Sequence, residues 1–172
     1  MVVFVGEQPG DYEDRAGRPF VGPAGRMFDK ALAEARLDRG KVYVTNAVKH
    51  FKWKPMGKRR KHERPLASEI AACFPWLEAE IEVIRPHILV CLGATAAQAV
   101  LKRKAAIQKE RGTFQESPLA PATFVTIHPS AIYRHPEKQQ QELEYRRFVD
   151  DMKLVRAKLA ELEKKPRVRL AG

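Results

Sequence analysis

The side chains able to do chemistry in this 172-residue chain fall into three short polar clusters and one basic run. Glu7, Gln8 and Asp11 lie in Gly6-Glu7-Gln8-Pro9-Gly10-Asp11, Asn46 follows Val42-Tyr43-Val44-Thr45, and His128-Pro129-Ser130 follows Phe124-Val125-Thr126-Ile127. The basic run, Gly57-Lys58-Arg59-Arg60-Lys61-His62-Glu63-Arg64-Pro65, ends its cations on a histidine. Carboxylates and imidazoles move protons, amides give paired hydrogen bonds, and a neutral imidazole is also a nucleophile. Each feature has a plainer reading. A basic run alone indicates phosphate contact, a lone histidine is usually structural, and Asn at a strand exit equally shapes a turn. Together they describe a histidine delivered to a nucleic acid, provided the fold gathers the clusters.

A parallel sheet would gather them. Val2–Val5 is β-branched and reads as a buried strand. Further strands are predicted over 41–45, ending at Asn46, over His87–Leu92 and over 122–127, the last delivering His128. Helices are predicted over 24–37 after Pro23, over 65–84 with Pro75 kinking it, over 93–101, and over 138–164. The first buries Met27, Phe28, Ala31, Leu32 and Ala35, the second carries Ile70, Cys73, Phe74, Leu77 and Ile81 on one face, and in the last Leu143, Arg147, Phe148, Met152, Val155 and Leu159 mix an apolar stripe with charge. Residues 12–22 read as polar, 55–64 as a loop, 102–120 as a surface excursion or hairpin, and 165–172 as a frayed basic tail. The fold expected is α/β, a three-layer α/β/α sandwich around a four-stranded parallel sheet, in one domain spanning 1–172. Loops leaving the C-terminal ends of parallel strands line the crevice of such sheets, so Glu7, Asn46 and His128 would share one edge.

The formal charge is +11, from 32 Lys plus Arg against 21 Asp plus Glu. Polyanions are the natural partners of such a domain, with mere solubility as the plain alternative. The charge is dense between Lys49 and Arg64, where His50, Phe51 and Trp53 interleave with Lys49, Lys52 and Lys54. Cations alternating with aromatics suit phosphate attraction and base stacking. Phe20, in Gly17-Arg18-Pro19-Phe20-Val21-Gly22, fits either a packing plug or a stacking surface. Cys73 and Cys91 cannot make a disulfide framework and suit a reducing, cytoplasmic setting. No apolar run approaches the roughly 20 residues of a membrane span.

Gly6-Glu7-Gln8-Pro9-Gly10-Asp11, Glu13-Asp14 and Gly17-Arg18-Pro19-Phe20-Val21-Gly22 together resemble the first motif of the uracil-DNA glycosylase superfamily. Thr45-Asn46-Ala47-Val48-Lys49 and His128-Pro129-Ser130 resemble its later blocks, and the likeness runs from Val2 to about Met152. Gln8 and the inserted basic loop are similar to the UdgX branch, related to the iron–sulfur family 4, whose members become covalently attached to uracil-containing DNA. The resemblance implies a flipped deoxyuridine, with Phe20 stacked on the base, Asn46 pairing with its polar edge, and Gln8 and Asp11 closing the pocket. It implies that His128 donates toward O2 as negative charge builds there, and that His62 captures the sugar C1′, oriented by Glu7. Arg60 would hold the loop against Glu7 or a phosphate. Lys58, Arg59, Lys61, Ser130 and Arg134 would meet the DNA backbone.

Two departures accompany the likeness. Lys61 stands where the branch carries Ile, adding charge beside the histidine. The family also resembles a holder of a 4Fe–4S cluster. His50 and Cys73 match two of its ligands, but the N-terminal Cys-x-x-Cys pair is lacking from this chain, so the cluster is expected to be absent or incomplete. Cys73 on a helix also fits simple packing, and Cys91 reads as core.

Three functions follow as expectations: a covalent, single-turnover trap for uracil in DNA through His62; a turnover glycosylase releasing uracil; or a non-catalytic basic DNA-binding module. The partner expected is uracil-containing DNA, single strands preferred, bound by a monomer with no membrane association.

Overall fold

The computed structural model of the protein describes residues 1–164; the tail expected over 165–172 lies outside them. Strand β1 (Val2–Gly6) leads to a short helix α1 (Asp11–Ala16) and to α2 (Pro23–Glu34). A 3-10 turn (Arg39–Lys41) precedes β2 (Val42–Asn46), and β3 (Trp53–Met56) and β4 (Arg59–His62) follow. Helix α3 (Ala67–Ile84), β5 (Ile88–Leu92), α4 (Ala94–Leu101), α5 (Ile107–Glu110) and β6 (Thr113–Gln115) come next. The chain ends in β7 (Ala122–Thr126), α6 (Pro129–Tyr133) and α7 (Lys138–Lys164).

The main sheet runs in the order β2-β1-β5-β7-β6. Residues alternate between its faces, the two-residue period of a strand. Val2, Phe4, Ile88, Val90, Leu92 and Phe124 pack with Phe28, Leu32, Ile132, Phe148 and Met152 from α2, α6 and α7. Val3, Val5, Leu89, Cys91 and Val125 pack on the opposite face with Ile70, Cys73, Leu77 and Ile81 of α3 and with Ala96, Ala97 and Val100 of α4. This is the three-layer α/β/α sandwich. Strands covered on both faces must be apolar throughout, which is why β1, β5 and β7 read so plainly.

The four predicted strands are present and mutually parallel. A fifth, β6, pairs antiparallel with β7 inside the 102–120 excursion; three residues are too few to show a period. The stretch predicted as a loop over 55–64 holds the strand β4 and, with β3, makes an antiparallel hairpin. Its cations hide any apolar alternation. Residues 12–22, read only as polar, contain most of α1. Pro75 sits inside α3, whose start is closed by Glu69, its carboxylate accepting from the Leu66 N–H at 2.6 Å.

From β1 the chain passes to β2 on one side and later crosses to β5 and β7 on the other. The strand order therefore reverses between β1 and β5, and ligand crevices of open α/β sheets form at such a reversal.

Candidate active site at the strand exits

Three segments converge over Gly6, the last residue of β1. A Cβ there would lie 2.4 Å from the Asn46 Oδ1 and 3.0 Å from the Phe20 ring, so only glycine leaves room for both. Phe20 has φ +58 and is buried against Phe28, with ring centroids 5.2 Å apart. Its position is set by Gly25, where a Cβ would fall 1.8 Å from the Phe20 carbonyl oxygen. The Phe20 ring also lies 5.6 Å from that of His128, at 36°. Asn46 is only 6 % exposed, and no hydrogen bond of its side-chain amide is found among the described residues. It is not among the polar groups sealed from solvent without a partner, so the amide can still be met by water or by a ligand.

His128 caps the start of α6. The Ser130 N–H donates to its Nδ1 at 3.1 Å, and the Ser130 Oγ lies 2.8 Å from the same atom. Because a backbone N–H can only donate, Nδ1 accepts and the neutral ring's proton is assigned to Nε2. Burial pushes the His128 imidazole down to about 4, with Arg134 and His62 adding to the effect and Glu7 opposing it. At neutral pH the site thus contains an uncharged, fixed N–H donor.

Glu7 leaves β1 and faces His62, whose Nε2 is 3.3 Å from its Oε1. Its other oxygen accepts from the hydroxyl of Thr95 in the first turn of α4. Burial would raise the Glu7 carboxyl, but the hydrogen bonds from His62 and Thr95, with the neighbouring His62 and His128 rings, hold it below its ordinary value. The pair straddles the β1–β5 reversal. Thr95 was not legible as a site residue; its one signal is its place just after the Gly93 exit of β5.

The hairpin carries His62 to this point. In an antiparallel pair successive residues face opposite ways, so Arg60 and His62 turn inward while Arg59 and Lys61 are exposed. Two side-chain latches hold the inner face down. The Gln8 amide donates to the carbonyls of Lys52 (3.2 Å) and Glu63 (3.0 Å) and accepts from the Lys52 N–H (3.2 Å). Arg60 pairs with Asp11 at 2.5 Å and Asp14 at 2.6 Å, under the rings of Phe51 and Trp53 at 5.1 and 5.5 Å. Gln8 and Asp11 are thus engaged with the hairpin, and Arg60 with Asp11 and Asp14 rather than with Glu7. Ser130 is engaged with His128, whereas Lys58, Arg59, Lys61 and Arg134 stand exposed.

His50 and Cys73 do come together, Nδ1 to Sγ at 3.8 Å. Among the described residues no group of three or more His, Cys, Asp or Glu is placed to hold a metal. Cys91 is sealed in the sheet, its thiol pushed up to about 12 by burial. A 4Fe–4S cluster takes four protein ligands, so the described residues do not fit one. An apolar groove of about 620 Å³ is bordered by Tyr43, Trp76, Glu80 and Val83, and a polar concavity of about 410 Å³ lies beside Arg111, Glu144 and Asp151, reaching Ile127 at the exit of β7. No helix among the described residues is long and apolar enough to cross a membrane.

The family description "Uracil DNA glycosylase superfamily" matches residues 1–153. The chain is 38 % identical over 143 residues to the Type-4 uracil-DNA glycosylase of Thermotoga maritima, a match covering 83 % of this chain and 71 % of that protein. Against the Type-4 uracil-DNA glycosylase of Pyrobaculum aerophilum it is 34 % identical over 142 residues, 78 % and 69 % of the two chains. Against that of Saccharolobus solfataricus the figure is 36 % over 155 residues, 85 % and 68 %.

Proposed function

The chain belongs to the uracil-DNA glycosylase superfamily, and on that premise we propose that it recognises uracil in DNA, cleaves the N-glycosidic bond and becomes bonded through His62 to the sugar C1′. The observation that supports the second half is the double latch on the hairpin, which sets His62 3.3 Å from a carboxylate at the crevice.

In this reading a flipped deoxyuridine enters beside Phe20, and the open amide of Asn46 pairs with its polar edge. The C1′–N1 bond breaks with its electron pair leaving on uracil. The Nε2–H of His128 donates to O2, where that negative charge collects, and a fixed donor at such a point is commonly worth about 10²–10³ in rate. The sugar is left as an oxocarbenium ion. The imidazole lone pair of His62 then bonds to C1′, and the ring's remaining N–H proton passes to Glu7, leaving a neutral N-alkyl imidazole. Gln8, Asp11 and Arg60 serve by holding the hairpin, with Gln8 and Asp11 also bounding the pocket. Lys58, Arg59, Lys61 and Arg134 meet the phosphates, and Ser130 acts through His128. A monomer acting on single strands, where flipping costs least, completes the reading.

The names of the relatives favour a second reading, in which water captures C1′ and uracil is released with turnover. One gel separates the two. Incubation with a uracil-containing single-stranded oligonucleotide gives a denaturation-resistant, slower-migrating band under the trapping reading. An alkali-cleavable product with no such band supports turnover instead. An adduct that persists undiminished in His62→Ala removes His62 from its role.

A further inference from the structure

The two oxygens of Glu7 have different neighbours. Oε1 faces His62 Nε2 at 3.3 Å, a long contact, while Oε2 accepts a hydrogen bond from the Thr95 hydroxyl. The terminal torsion of a glutamate is broad and roughly two-fold, so the His62 contact alone leaves the carboxylate free to rotate. Thr95 is only 1 % exposed, which shields its hydroxyl from solvent, and its β-branch stiffens the side chain. It lies in the first turn of α4, where helix N–H groups favour an anion. The groups facing Glu7 are therefore His62 from β4, His128 from the exit of β7, and Thr95 from α4.

We propose that Thr95 is a positioning residue that clamps one oxygen of Glu7 so that the other is presented to His62. This rests on the reading of Glu7 and His62 above. A donor to a charged carboxylate counts for more than a neutral hydrogen bond, and Thr95 supplies its bond from a different element than the one that carries His62. The hairpin can then shift without Glu7 turning away from the sugar.

The test compares wild type with Thr95→Val, Thr95→Ser and Thr95→Ala in the full chain, using a uracil-containing oligonucleotide and single-turnover kinetics across pH. Thr95→Val is expected to slow the reaction by about ten-fold or more, to move the acid limb of the pH–rate profile to higher pH, and to leave affinity for a uracil-free oligonucleotide unchanged. Thr95→Ser keeps the hydroxyl and is expected to retain most of the rate. In a Glu7→Gln background Thr95→Val is expected to add nothing further. An unchanged rate and acid limb, or an equal loss in both backgrounds, overturns the proposal. A ¹³C titration of the Glu7 carboxyl in the free protein gives a readout that needs no activity: its midpoint should rise in Thr95→Val, or in Thr95→Ala if the valine variant does not fold. No rise overturns the clamp. Wild type that releases uracil without forming an adduct sinks the His62 reading alone, since the Glu7 titration still reads the clamp.

Discussion

The two histidines of the site are held in opposite ways. His128 follows a central strand, caps a helix with its own ring, and sits against Phe20. His62 rides on a two-stranded hairpin outside the main sheet, held by Gln8 and Arg60 and backed by Phe51 at 6.1 Å. An isolated hairpin is marginally stable at best, so the place of His62 depends on side chains far away in sequence. Under the proposed reading this is a division of labour: a fixed donor where charge must be met without reorganisation, and a latched arm where a bond would form.

The largest effect expected is from His62→Ala, which should abolish the denaturation-resistant band while leaving base release measurable by uracil detection. Loss of both activities together would show that the arm is not separable from the pocket. Next, His128→Ala should slow base release by about 10²–10³, measured in single turnover.

The buried character of His128 should also appear in stability. Its folded value is about 4, below the ordinary 6.5, so between those limits the unfolded chain binds more protons than the folded one. Stability should therefore fall as pH drops through that window, by roughly 2–3 kcal/mol from this group. Glu7, held below its ordinary value, acts with the same sign at lower pH. Thermal unfolding at neutral and mildly acid pH checks this, and His128→Gln should flatten the slope.

Gln8→Ala removes all three of its bonds to the hairpin base and should slow adduct formation by about ten-fold, more than it slows base release. Equal losses in both steps would erase the distinction between arm and pocket. The smallest effects are expected at Arg59→Ala and Lys61→Ala on the outer face: few-fold weaker binding, with the slope of log K against log salt reduced by about one per cation. Anisotropy titrations at several salt concentrations measure it.

Much of this protein could be read from its residues. The buried strands announce themselves as apolar runs, and three of the four parallel ones end where a chemical residue begins: Gly6 before Glu7, Asn46 itself, Thr126 two residues before His128. Parallel pairing then puts those exits on one edge. The hairpin was not legible because its strands are cationic, and the two-residue period of Arg59-Arg60-Lys61-His62 is invisible when both faces carry polar groups. Nor was the engagement of Gln8 or Asp11, whose partners lie 44 to 55 residues away.

The sequence by itself therefore determined the layered fold, the shared edge and the candidates for chemistry, because burial and strand period are local properties of residue type. Which cations face inward, which oxygen of Glu7 meets His62, and which ring nitrogen of His128 keeps its proton were decided only by tertiary structure. Those depend on hydrogen bonds between segments far apart in the chain, and such bonds leave no mark on local pattern.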